Sequence, residues 1–143
     1  MEGWNRYRKT AHTVYDNKYH LVWTTKYRYR VLTGKIALRV RDLIRGASMK
    51  LDAQITKGHL SPDHVHILVS VPPHVSIAKL MQQIKGESSR KMQMEFKELK
   101  NRYWGKHIWA RGYFCATTGN VTEDEIKKYI EHHTEEDEEF TIG

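Results

Sequence analysis

The 143-residue chain reads as an α+β domain, a ferredoxin-like split βαβ sandwich. Three observations predict it. Residues 19–25 and 64–71 alternate as strands do. Apolar residues recur at helical spacing after Gly34 and after Ser76. The elements follow in the order strand, helix, strand, strand, helix, strand, helix, which is the split βαβ pattern with one added C-terminal helix. It predicts an antiparallel four-stranded sheet with two helices on one face, the other face being open to a ligand or to the extra helix.

The elements are justified in turn. Residues 1–17 are polar and aromatic and read as an arm. In the first strand, Tyr19, Leu21 and Trp23 alternate with His20, Val22 and Thr24. Ile36, Val40, Leu43, Ile44, Ala47 and Leu51 then form one helical face. Residues 53–56 are a second strand, loosened by Gly58. Residues 64–71 are the clearest strand, started after Pro62 and stopped by Pro72 and Pro73. Ser76 caps a long helix with Ile77, Leu80, Met81 and Ile84 inward, running past Gly86 to Met92 and Phe96. Residues 108–116 are a fourth, aromatic-rich strand, and Gly119-Asn120 turns the chain. Thr122 and Glu125 form a capping box for a last short helix to about His133. Residues 134–143 are an acidic tail, and the whole, 1–143, is a single domain.

Composition narrows the function. No run of 18 apolar residues exists, so no membrane partner is expected. No secretory signal opens the chain, and one cysteine excludes a disulfide framework or a CxxC zinc site. A cytoplasmic, nucleoid-associated location is the expectation. The net charge is +7. All 24 cations but only eleven of the 17 acids lie in residues 1–130, so that body carries +13. A body this basic attracts polyanions, nucleic acid first among them.

On the third strand Val65, Ile67, Val69 and Val71 share one face, and His64, His66, Leu68 and Ser70 the other. Two histidines two residues apart stand about 6.7 Å apart along a strand. Their rings can converge to place nitrogens about 2.1 Å from one ion, with Asp63 orienting a ring. A solvated polar sheet face explains an isolated His-x-His pair as well. Here the strength of the strand, its clean apolar side and a third candidate ligand favour a metal.

That third ligand is on the last helix, where Ile126, Tyr129, Ile130 and His133 share one side. His132 points about 100° away. Tyr129 can be an amphipathic packing residue or a nucleophile. A free tyrosine has a pKa of about 10 and attacks poorly at neutral pH. It can attack a phosphodiester if a metal polarises the phosphate and a rigid helix aligns it. The product is a phosphotyrosine and a free 3′-hydroxyl, and the strand can be rejoined without ATP. No phosphate-cradling Gly-rich loop is present, so no nucleotide cofactor is expected.

Cations and aromatics alternate at Lys26-Tyr27-Arg28-Tyr29-Arg30, which suits phosphates and unstacked bases. With Lys85, Arg90 and Arg111 they form a candidate nucleic-acid track.

These residues resemble a known family. His64-Val65-His66 resembles the HUH motif, and Tyr129-Ile130-Glu131-His132-His133 the nucleophile helix, of the single-tyrosine HUH transposases of simple insertion sequences. Residues 19–28, 84–90 and 109–114 are similar to that family's first strand, second helix and fourth strand. The resemblance spans roughly 19–133. It implies a metal-dependent single-strand DNA endonuclease and strand transferase. Such an enzyme cleaves at hairpin-marked element ends through a 5′-phosphotyrosine, and works as a homodimer with Mg²⁺ or Mn²⁺. By this resemblance Tyr129 is the nucleophile, and His64 and His66 are metal ligands. The family usually carries Gln four residues after the tyrosine, where this chain has His133. An all-imidazole set favours Mn²⁺ or Zn²⁺ over Mg²⁺. The alternative reading is a non-catalytic RNA- or DNA-binding module of the same fold.

Overall fold

A computed structural model of the chain describes residues 7–117, 124–125 and 128–131. Two short strands, β1 (Arg8–Lys9) and β2 (Val14–Tyr15), pair as a hairpin. Then follow β3 (Lys18–Thr24), a 3₁₀ turn (Lys26–Arg28), α1 (Gly34–Lys50), β4 (Gln54–Ser61), β5 (His64–Ser70), α2 (Ile77–Glu95), α3 (Lys97–Arg102) and β6 (Phe114–Thr117). The main sheet has the order β4-β5-β3-β6, every pair antiparallel. This is the predicted ferredoxin-like sheet. No described helix is long and apolar enough to cross a membrane.

The core lies between the sheet and the two long helices. Val65, Ile67, Val69 and Val71 are all buried there, as their alternation requires. They meet Val40, Leu43, Ile44 and Ala47 of α1 and Leu80, Met81 and Ile84 of α2. Each of these Val, Leu, Ile and Met side chains contributes about 1.5–3 kcal/mol by leaving water. Ser76 caps α2 as predicted, its hydroxyl accepting from the Lys79 amide at 3.1 Å. Glu87, buried in α2, accepts from Lys50 of α1 at 2.7 Å and from Lys91 at 2.9 Å, which ties the two helices together.

Four elements differ from the sequence reading. The arm contains the β1–β2 hairpin, docked by Arg8, whose guanidinium donates to the Ser70 carbonyl (3.1 Å) and the Asp52 carbonyl (2.7 Å). β4 is longer than residues 53–56, because a register shift between Ile55 and Lys57 lets pairing continue through Gly58 to Ser61. A separate helix, α3, follows α2. Phe96 leaves helical geometry (φ −124°) between them, and Leu99 and Tyr103 then bury against the core. The fourth strand begins at Phe114, not at 108, because Gly112 is left-handed (φ +74°). Before it, Trp109 makes a single bridge to Thr25 and donates its indole N–H to Ser88 Oγ at 2.8 Å. Gly119-Asn120, the Thr122 cap, Ile126, His132, His133 and the acidic tail lie outside the described residues.

Candidate active site

Strand register determines what the open sheet face carries. His64 pairs with Thr24 and Ser61, and His66 with Val22 and His59. His20 lies two residues from Val22 on the same strand. Alternation therefore gathers His20, His59, His64 and His66 on the face away from α1 and α2. Sequence reading singled out His64 and His66. The alternation of β3 held the signal for His20, whereas His59 is legible only once β4 is known to run past its bulge.

His64 is held by a carboxylate. Its Nδ1 lies 2.8 Å from Asp63 Oδ1, and Arg28 Nε donates to Asp63 Oδ2 at 3.0 Å. Asp63 is nearly inaccessible. Burial alone would raise its pKa, but the bonds from His64 and Arg28 outweigh this and hold it below the ordinary carboxylate range. An imidazole donating Nδ1–H to a carboxylate keeps its Nε2 lone pair for another partner, the arrangement typical of metal-binding histidines.

The backbone is bent to make this contact. Tyr27 and Arg28 both have positive φ, +62° and +52°. Each such L-residue costs about 1–2 kcal/mol. Thr25 fixes the turn, donating its hydroxyl to the Tyr29 carbonyl at 2.7 Å and its amide to the Asp63 carbonyl at 2.9 Å.

His66 Nε2 shares a 3.1 Å hydrogen bond with His20 Nδ1. Burial, and then the neighbouring His20, His59 and His64, push the His66 pKa below the usual histidine value. The shift favours the neutral imidazole, the state a metal ligand requires. Two imidazoles, one with a carboxylate behind it, suit a divalent cation. No group of three or more His, Cys, Asp or Glu among the described residues could hold a metal, and His133, the third ligand in the sequence reading, lies outside them.

Tyr129 lies in a helical stretch, 128–131. Its ring packs on Phe114 of β6 at 5.7 Å between centroids, and Phe114 pairs with Val22. Ile130 is buried. Ile130 and Glu131 line a cavity of about 340 Å³ together with Arg28, Arg30, Asp63 and His64. The stretch that carries Tyr129 and the strand that carries His64 thus border one cavity, although Tyr129 itself does not line it.

The predicted nucleic-acid track divides. Arg28 and Arg30 border the His64 cavity. Lys26 and Arg90 line a different groove. Lys85 donates to the Ala110 and Gly112 carbonyls at 2.7 and 2.9 Å, bracing the segment before β6. Arg111 is exposed. Tyr29 is packed rather than free to stack on a base, its ring 5.6 Å from Tyr103 with Arg102 over it at 4.1 Å.

This arrangement matches known proteins. The family model described as "Transposase IS200 like" matches residues 13–133. The ISDra2 transposase TnpA of Deinococcus radiodurans is 36% identical over 118 residues, covering 82% of this chain and 84% of that protein. The transposase for insertion sequence element IS200 of Salmonella typhimurium is 34% identical over 130 residues, 91% of this chain and 85% of that one. A crystal structure at 1.90 Å of a Deinococcus radiodurans R1 chain described as a transposase superposes with a TM-score of 0.81 at 32% identity. It covers 88% of this chain and 97% of that one. A REP-associated tyrosine transposase bound to a REP hairpin shares the fold, with a TM-score of 0.55 at 15% identity over 87% of this chain and 67% of that one. The chain belongs to the IS200-like family of single-tyrosine HUH DNA transposases.

Proposed function

We propose that this DNA transposase cleaves and rejoins single-stranded DNA at hairpin-marked element ends, with Tyr129 as nucleophile. The observation that carries the proposal is the cavity bordered both by the Tyr129 stretch and by His64. The Tyr129 oxygen attacks the phosphorus in line. The bond from phosphorus to the 3′-oxygen breaks, the phenol proton passes to solvent, the leaving 3′-oxygen takes a proton from solvent, and a 5′-phosphotyrosine and a free 3′-hydroxyl remain. Bond energy is conserved in the link, so the reverse attack by another 3′-hydroxyl rejoins the strand.

His64 and His66, with His133, would hold a divalent ion, Mg²⁺ or Mn²⁺, with Zn²⁺ open to the imidazole set. Such an ion supplies Lewis-acid polarisation of the phosphate oxygens. Asp63 keeps the His64 ring in its ligating tautomer, and Arg28 keeps Asp63 ionised. Arg30, at the cavity edge, offers charge to the DNA backbone. A hairpin partner is in keeping with the REP-associated relative solved on its hairpin, and a homodimer is the assembly proposed here.

The test mixes the purified protein with single-stranded DNA from both flanks of its own gene and Mn²⁺, then runs a denaturing gel. A slowed protein–DNA band is expected from the wild type, none from Tyr129→Phe, and about a hundredfold less from His64→Ala. A band that survives Tyr129→Phe contradicts the mechanism. If no band forms while the DNA still binds, the chain is a non-catalytic nucleic-acid module.

A further inference from the structure

We propose that His20 and His66 form a two-imidazole clamp for a late first-row divalent cation, Cu²⁺ above all. An ion held there withdraws His66 from its place beside His64. The binding claim stands on the geometry of two strands. Its consequence for cleavage rests on the single-strand transposase reading.

The separation of two nitrogens carries the proposal. His20 Nδ1 on β3 lies 3.1 Å from His66 Nε2 on β5. Two nitrogens each about 2.1 Å from one ion, at angles between octahedral and tetrahedral, stand about 3.0–3.4 Å apart. The pair is therefore at ligating separation before any ion arrives. The ring centroids are 5.3 Å apart and the planes are tilted by 42°, so the rings meet at their nitrogens rather than face to face. His64 and His66 differ in this respect. They stand two residues apart on one strand, about 6.7 Å along it, and must lean together to share an ion.

The sheet fixes the clamp in place. β3 and β5 pair without interruption from Lys18↔Ser70 to Thr24↔His64. In that register His20 faces Leu68 and His66 faces Val22, so the two rings reach each other across the diagonal. On β6 the residue opposite His20 is Ala116, which offers only a methyl beside the ring. Both histidines are half-buried, held by the sheet yet within reach of a hydrated ion. His59 stands opposite His66 on β4 and is exposed. Among the described residues it completes no three-ligand group, so water fills the remaining positions on the ion.

The donor set selects the metal. Asp63, the carboxylate beside His64, already commits both oxygens, Oδ1 to His64 and Oδ2 to Arg28. The clamp thus offers nitrogen without carboxylate oxygen, which favours Cu²⁺, Ni²⁺ and Zn²⁺ over Mg²⁺ and Mn²⁺, with Cu²⁺ the strongest. Ligation needs only a change of tautomer. The ring that donates its N–H across the His20–His66 bond takes that proton on its other nitrogen, and both rings stay neutral. An ion between the rings pins His66 towards β3. The ring then cannot lean along β5 to meet His64.

The test measures Cu²⁺ binding to the full chain without DNA, by isothermal titration calorimetry at neutral pH. His20→Gln and His66→Gln should each weaken the tight site about a hundredfold, the gain that a tethered second ligand supplies. His64→Gln should leave the tight site in place. NMR of the histidine rings in the wild type, with Cu²⁺ added below one equivalent, should broaden His20 and His66 before His64. That measurement needs no variant, so misfolding of a substituted chain cannot mask the answer. With Mn²⁺ and flanking single-stranded DNA, equimolar Cu²⁺ should abolish most of the wild-type adduct. The ratio of adduct with Cu²⁺ to adduct without it should return towards one in His20→Gln.

Copper binding that His64→Gln loses and His20→Gln keeps overturns the clamp and puts the ion at the His64–His66 pair. Broadening of His64 first does the same. A ratio as low in His20→Gln as in the wild type overturns the inhibitory role. The two claims fail separately. Adduct from the wild type, with copper binding indifferent to His20, sinks the clamp alone. Copper held by His20 and His66 in a chain that forms no adduct with Mn²⁺ sinks the transferase chemistry alone.

Discussion

Replacing Glu87 by glutamine tests the clamp that sets α1 against α2. The carboxylate is buried, its side chain 7% exposed, and accepts from Lys50 (2.7 Å), Lys91 (2.9 Å) and Gln83 (2.8 Å). The bonds from Lys50 and Lys91 bring its pKa from 4.5 to about 2. At about 1.36 kcal/mol per pKa unit, that shift sets a ceiling of about 3.4 kcal/mol. The Lys50 end is 57% exposed and the Lys91 end 35%, so solvent screening reduces the net contribution to about 1–2 kcal/mol.

The sign follows from the direction of the shift. A depressed folded-state pKa stabilises above the unfolded value of 4.5 and loses that stabilisation as pH falls through about 2. Glu87→Gln should therefore be about 1–2 kcal/mol less stable at pH 7, and the gap should close towards pH 2. Urea unfolding at a series of pH values measures it. Equal stability at pH 7, or a gap that persists at pH 2, would refute the reasoning. The clamp matters to function because the next residue, Ser88, holds the Trp109 indole, and Trp109 bridges to Thr25 beside the Arg28 turn.

Other expectations concern the site and the helices. Asp63→Asn removes the negative charge behind His64 and leaves one accepting oxygen where His64 and Arg28 each have their own, so adduct formation should slow about 10–100-fold with DNA binding retained. An unaltered rate would show that the His64 ring needs no carboxylate. Gly46→Ala and Gly86→Ala should each raise stability by about 0.5–1 kcal/mol in thermal melts. A methyl at either position meets nothing within 4 Å, and a lowered melting temperature would contradict that.

Legibility in the sequence followed the strength of local signals. β5 and the two long helices were readable because a full period of apolar residues faces one core. The end of β4 was not, because a bulge hides one residue from simple alternation. α3 was hidden because Lys97–Arg102 is polar or charged except for Leu99, and the break at Phe96 is a backbone event with no glycine or proline to announce it. At the site, Asp63 beside His64 was foreseeable from adjacency. The tasks of Arg28 and Lys85 were not, since a cation bound for a buried carboxylate or a carbonyl looks in sequence like one bound for a phosphate. The groove lined by Lys26 and Arg90 was invisible for a different reason, as its cations come from residue 26, α2, α3 and the 105–107 turn and meet only in the folded chain.

The most direct measurement of the chemistry is where the DNA becomes attached. After reaction with flanking single-stranded DNA and Mn²⁺, nuclease trimming and proteolysis leave a nucleotide tag for mass spectrometry. The expected result is a 5′-phosphate link on Tyr129. A tag on any other residue, or none from protein that demonstrably binds the hairpin, would contradict Tyr129 as the nucleophile.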